Sequence, residues 1–90
     1  MTPFSVLVSV YAKEKPNWLA ESLDSILVKQ SVLPSEVVLV VDGPITDELE
    51  AVILKYKSQY SETFVVHHLS SNYGLGYALN EGLKICKYDL

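Results

Sequence analysis

Glu36-Val37-Val38-Leu39-Val40-Val41-Asp42-Gly43-Pro44 is the stretch that decides how this chain folds. Val37 to Val41 are five consecutive aliphatic residues, and Gly43-Pro44 closes the run. A run so short and so rich in β-branched residues reads as a strand with apolar cover on both faces. Such strands belong to parallel sheets sandwiched between helices. Asp42 then stands where the strand emerges at its carboxyl end, the edge at which open α/β sheets bind ligands. An acid there is either a hook for a ligand or a former of the local turn.

Upstream, Phe4–Val10 reads as a first strand, apolar enough for a central position. Tyr11–Pro16 is a loop, with Pro16 suited to the first turn of a helix, where its missing N–H leaves nothing unpaired. Trp18–Gln30 is that helix; Leu19, Leu23, Ile26 and Leu27 make one apolar stripe, and Trp18 is expected to pack. Ser31–Ser35, with Pro34, is a turn. Downstream, Thr46 is the expected cap of a second helix. Asp47, Glu48 and Glu50 open it and Lys55 and Lys57 end it, the charge order the helix dipole favours. Its buried stripe is Leu49, Val52, Ile53 and Tyr56. Thr63–Leu69 is a third strand, Ser70–Gly74 a loop, and Leu75–Lys87 a third helix with Leu75, Leu79, Leu83 and Cys86 expected inward. Gly82 inside that helix costs about 1 kcal/mol relative to Ala, which points to close packing on the sheet.

The order β-α-β-α-β-α with right-handed crossovers predicts an α/β fold whose three strands lie parallel, in the order 3-2-1. Tyr88-Asp89-Leu90 looks like the run-in to a fourth strand, so residues 1–90 are expected to form part of a larger sheet.

Composition narrows the functions. The net charge is -4, and all seven cations are Lys. Nucleic acid rewards a basic face and forked guanidinium contacts, so it is not an expected partner. A single Cys leaves no internal disulfide framework and fits a reducing compartment. No apolar run is long enough to span a bilayer, and Met1-Thr2-Pro3-Phe4 lacks the pattern of a signal peptide. His67 and His68 are neighbours in a strand and point to opposite faces, so they are not expected to share a metal.

Parallel strands put the loops bearing Tyr11, Asp42 and Asn72 on one rim of the sheet, where they could face a single pocket. An aromatic ring can stack on a base, and a carboxylate can accept hydrogen bonds from a base N–H or ribose hydroxyls. Gly74 and Gly76 let backbone approach a ligand. The familiar phosphate cradles are missing: there is no P-loop pattern, and Leu79 stands where the dinucleotide fingerprint needs Gly.

These residues resemble the family-2 glycosyltransferases of the GT-A fold, over nearly the whole chain. Ser9-Val10-Tyr11-Ala12 stands where the family has Pro-Thr-Tyr-Asn at the first strand end; it keeps Tyr11, while Val10 for Thr and Ala12 for Asn remove polar contacts. Leu23-Asp24-Ser25-Ile26-Leu27, with Gln30 beyond, is similar to its first-helix pattern. Val41-Asp42-Gly43-Pro44 keeps the second Asp of Val-Asp-Asp-Gly-Ser and replaces the first by Val41. Asn72, Gly74, Ala78, Asn80 and Gly82 meet Asn-x-Gly-x-x-x-Ala-x-Asn-x-Gly in full.

The resemblance implies a three-layer α/β/α, Rossmann-like GT-A half-domain. It implies a nucleotide pocket formed by Ser9, Tyr11, Asp42, Gly43, Asn72 and Gly74, with a nucleotide-diphosphate sugar as donor and a saccharide or lipid-linked acceptor. It further implies a divalent cation, Mg or Mn, in the full-length enzyme, held by an Asp-x-Asp motif past Leu90. Neither a metal site nor a catalytic residue is expected within these residues. Cell-envelope polysaccharide synthesis, cytoplasmic or peripheral at the inner membrane face, is the implied setting. The isolated fragment is expected to be inactive and to self-associate through its open sheet edge and uncovered helix face. The alternative is a non-catalytic α/β interaction or regulatory domain of the same topology.

Overall fold

A computed structural model describes residues 3–29 and 33–90. Gln30 and the start of the Ser31–Ser35 turn lie outside the described residues. Strands β1 (Ser5–Val10), β2 (Glu36–Val41) and β3 (Phe64–His68) pair in parallel, with β2 in the middle. Ser5 lies opposite Glu36 and Val10 opposite Val41; Val37 lies opposite Phe64 and Val41 opposite His68. This is the expected 3-2-1 order, and it leaves one side of β1 open. Asp89 reaches that side, its carbonyl accepting from the Ser5 N–H at 2.7 Å.

Helices α1 (Pro16–Leu23), α2 (Asp47–Gln59) and α3 (Leu75–Ile85) complete the three layers. The alternation along β2 divides the core. Val37, Leu39 and Val41 pack with Leu19, Leu23, Leu27, Leu49, Ile53 and Tyr56 of the α1/α2 layer. Val38 and Val40 pack on the other side with Ala78, joined by Leu7, Val65 and Ile85. Every residue of β2 is buried, as a strand with two apolar faces requires. The architecture is therefore the α/β/α, Rossmann-like one.

Local chemistry sets the helix ends. Pro16 opens α1, and the Thr46 hydroxyl caps α2 by accepting from the Leu49 N–H at 3.2 Å. After Leu23 the first helix widens into one π-helical turn, Asp24–Val28, closed by Lys29 N–H donating to the Asp24 carbonyl at 3.0 Å. The Tyr56 hydroxyl ties α2 to α1, donating to Asp24 Oδ1 and to the Ala20 carbonyl at 3.2 Å. Burial, then the bond to Asp24, pushes the Tyr56 hydroxyl up to about 12.

Two packing expectations are corrected. Trp18 is 43% exposed and does not serve the core. On α3, Leu75 and Leu83 face outward, and the helix meets the sheet through Ala78 and Gly82. The reason is distance. A Cβ on Gly82 would collide with the Leu7 side chain and come within 2.9 Å of Val40 Cγ2, so a larger residue there would have to push both side chains aside. Cys86 is half-buried beside this layer, and burial followed by the nearby Glu36 carboxylate raises its thiol.

At the amino end of the sheet, Glu36 and Ser5 are both buried. Glu36 Oε1 accepts from the Ser5 hydroxyl at 2.7 Å and from the Lys87 N–H at 2.8 Å, while Ser5 Oγ accepts from the Tyr88 N–H at 3.3 Å. This cluster fixes the segment after α3 against β1. No helix among the described residues is long and apolar enough to cross a membrane.

Candidate nucleotide site

At the carboxyl ends of the strands lies a hollow of about 360 Å³ lined by Ser9, Tyr11, Glu14, Asp42, Asn72, Gly74 and Leu75. β1 delivers Ser9 and, one residue past its end, Tyr11. β2 delivers Asp42. The loop between β3 and α3 delivers Asn72 and Gly74. Residues more than 60 positions apart in sequence thus meet because parallel strands release all their loops on one rim.

Asp42 is 4% exposed, and both of its carboxylate oxygens are engaged. Oδ1 accepts from the Tyr73 N–H at 2.8 Å, and Oδ2 from the Gly74 N–H at 3.0 Å. Asn72 Oδ1 also accepts from Gly74 N–H, at 3.1 Å. The acid therefore organises a distant loop rather than its own turn. Its own backbone is held as Asp42 N–H donates to the Val10 carbonyl at 2.8 Å. Gly43 does not line the hollow; it sits against the Ser71–Asn72 backbone with φ +90°, where a Cβ would be 2.6 Å from Asn72 N. Only glycine permits both that backbone angle and that approach.

The Tyr73 and Tyr77 rings lean together beside this corner, with centroids 4.5 Å apart and planes at 33°. Both are about half exposed. His68 Nε2 is 3.4 Å from Glu50 Oε1 at the solvent surface. Among the described residues, no three His, Cys, Asp or Glu gather into a group that could hold a metal ion.

Of the six residues read from the sequence, the structure brings five into the hollow and sets Gly43 outside it, against the backbone of Asn72. Glu14 was missed. It arrives through a turn in which its N–H donates to the Tyr11 carbonyl at 3.1 Å, so the residue three beyond Tyr11 folds back beside it. The charged run Lys13-Glu14-Lys15 carried no mark of which side chain would turn inward. Leu75 was read as a core residue and instead forms part of the rim.

The sequence profile described as glycosyl transferase family 2 matches residues 5–90, which takes in every element that builds the hollow. The chain belongs to glycosyl transferase family 2. It is similar to an uncharacterized glycosyltransferase of Haemophilus influenzae, 46% identical over 86 residues, covering 96% of this chain and 31% of that protein. It is 42% identical over 87 residues to the amylovoran biosynthesis glycosyltransferase AmsE of Erwinia amylovora, covering 97% of this chain and 32% of the relative. It is 43% identical over 88 residues to the UDP-Gal:alpha-D-GlcNAc-diphosphoundecaprenol beta-1,3-galactosyltransferase of Escherichia coli, covering 97% of this chain and 30% of the relative. The chain thus spans about a third of the length of these glycosyltransferases.

The structure also sorts the family-2 motif by physical task. Asn72 and Gly74 form the loop corner held by Asp42, Ala78 and Gly82 let α3 approach the sheet, and Asn80 is exposed.

Proposed function

We propose that this chain is the nucleotide-binding part of a GT-A glycosyltransferase, which moves a sugar from a nucleoside-diphosphate donor to an acceptor hydroxyl. The observation that carries the reading is the convergence of Tyr11, Asp42 and the Asn72–Gly74 corner on one hollow at the strands' carboxyl ends. In this reading Tyr11 stacks on the base, and the corner held by Asp42 borders the ribose. Ser9 and Asn72 offer neutral polar contacts, and Gly43 keeps the corner close to β2. The Escherichia coli relative's name supplies the first donor to try, a uridine-diphosphate sugar, and the acceptor class, a lipid-linked saccharide. A polyprenyl-linked acceptor is anchored in a membrane, so the proposed site of action is a bilayer surface, with the chain peripheral to it; the cytoplasmic face is proposed with it.

The divalent cation implied by the resemblance finds no fitting donor set among the described residues. Asp42, the acid deepest in the hollow, already gives both oxygens to backbone N–H groups. No step through a cation is assigned to this chain; its residues bind and orient the nucleotide. The proposal includes self-association of the isolated chain through the open side of β1 and the outward leucines of α3.

The test is a titration of ¹⁵N-labelled chain with uridine diphosphate. Saturable shifts at Tyr11, Asn72 and Gly74 are expected. Shifts confined to residues away from the hollow, or no shifts, would refute the reading.

A further inference from the structure

We infer that Glu14 is the carboxylate that reads the nucleoside, its acceptor oxygens taking the donor hydrogens of the ribose hydroxyls or of the base N–H. The inference rests on the proposed nucleotide site and names a residue in it that the sequence motifs pass over.

The hollow has two acids in its lining and no cation. One of them, Asp42, accepts a backbone N–H of the neighbouring loop on each oxygen, and its almost complete burial leaves little of it for a ligand to reach. Glu14 is the opposite case. It is partly exposed on the wall of the hollow. Among the described residues its carboxylate makes no hydrogen bond and no ion pair, although Lys13 and Lys15 flank it in the chain. Its backbone is nonetheless fixed, by the 3.1 Å bond from its N–H to the Tyr11 carbonyl. A tethered backbone and an uncommitted all-acceptor side chain, beside an aromatic ring, suit a ligand that presents N–H and O–H groups next to a flat face.

The charge of the hollow also orients that ligand. Two carboxylates without a cation repel phosphate, so the nucleoside end enters between Tyr11 and Asp42 and the diphosphate stays outside. Glu14 thereby acts against the overall electrostatics. Removing an ordinary surface acid leaves the affinity of an anionic ligand unchanged or raises it. Removing Glu14 lowers it, because a charge-assisted hydrogen bond is lost.

The experiment measures uridine diphosphate affinity by amide-shift titration for the unsubstituted chain, Glu14→Ala, Glu14→Gln and, as a charge control, Glu21→Ala. Glu21 is exposed on α1. Glu14→Ala is expected to weaken binding about tenfold or more, Glu14→Gln by less because an amide oxygen still accepts, and Glu21→Ala not at all. Three analogues identify the donor: 2′-deoxyuridine and 3′-deoxyuridine diphosphates each lack one ribose hydroxyl, and 3-methyluridine diphosphate lacks the ring N–H. The analogue missing the group that Glu14 reads binds about tenfold more weakly to the unsubstituted chain, with that penalty gone in Glu14→Ala. Inorganic pyrophosphate is expected to leave the Tyr11 and Glu14 amides unshifted.

Saturable binding at Tyr11 and Asn72 that Glu14→Ala leaves unchanged or tightens overturns the Glu14 assignment and leaves the nucleotide site standing. Analogue penalties that persist in Glu14→Ala overturn it too. Failure of the unsubstituted chain to bind uridine diphosphate overturns the nucleotide site, and the Glu14 assignment with it.

Discussion

The two ends of β2 use the same device for different purposes. Glu36 begins the strand and Asp42 follows its last residue, and each is a buried carboxylate accepting hydrogen bonds from segments more than 30 residues away. At the amino end, one oxygen of Glu36 gathers the Ser5 hydroxyl and the Lys87 N–H into a buried corner. At the carboxyl end, Asp42 divides its two oxygens between consecutive N–H groups and borders an open hollow. The two carboxylates, both buried, differ in the number of oxygens engaged: one at the closed amino end, two beside the hollow.

The comparison is sharpest when each acid becomes its amide. Asp42→Asn keeps one acceptor oxygen and sets an NH₂ against a backbone N–H, so a loss of about 2 kcal/mol is expected. Uridine diphosphate affinity should fall with it as the 72–74 corner is released. Glu36→Gln retains the oxygen that takes both donors and should cost less than about 1 kcal/mol, with nucleotide affinity unchanged. Urea denaturation and the amide titration measure both. Equal losses at the two ends, or a loss of affinity in Glu36→Gln, would break the distinction.

A third acid, Asp24, extends the comparison to the helical layer, where it accepts from the Tyr56 hydroxyl. That hydroxyl is raised from 10.0 to about 12 in the folded chain. The folded state therefore holds the proton more tightly than the unfolded one. The resulting stabilisation is complete below pH 10 and disappears as the pH rises through about 12. The stability gap between the unsubstituted chain and Tyr56→Phe should be constant up to that range and then shrink, which denaturation at stepped pH will show. A gap that widens above pH 10 would contradict the assigned bonding.

The smallest effect concerns the faces of the sheet rather than its ends. The α1/α2 side buries Leu, Ile and Tyr, whereas α3 leaves Leu75 and Leu83 in solvent at 64% and 47% exposure. Weak, concentration-dependent association of the chain is expected by sedimentation, reduced in a Leu75→Ser, Leu83→Ser double variant. A monomer at every concentration would oppose it.

The strands, the layer order and the Asp42/Asn72 meeting were legible because they follow from local rules: a continuous apolar run, a β-branched bias, and loops leaving parallel strands on one rim. Thr46 was legible as a cap for the same reason. The α3 face was not, because its apolar period was read from the bulky side chains. The sheet instead selects the small ones, Ala78 and Gly82, when a helix must come close. Glu14 was hidden because its position depends on one turn that any polar sequence could make. The role of Asp42 was only half visible: its place at the strand end could be read, but its two partners belong to a loop 31 and 32 residues later.

The bonds from Asp42 to two adjacent amides have a consequence for recognition. They set the Tyr73–Gly74 backbone before any ligand arrives. The conformational entropy of that corner, about 1–2 kcal/mol per residue, is lost when the chain folds and would not be lost again on binding of the proposed nucleotide. A molecule entering the hollow therefore meets a preorganised surface, and its contacts there translate into affinity without a loop-ordering penalty.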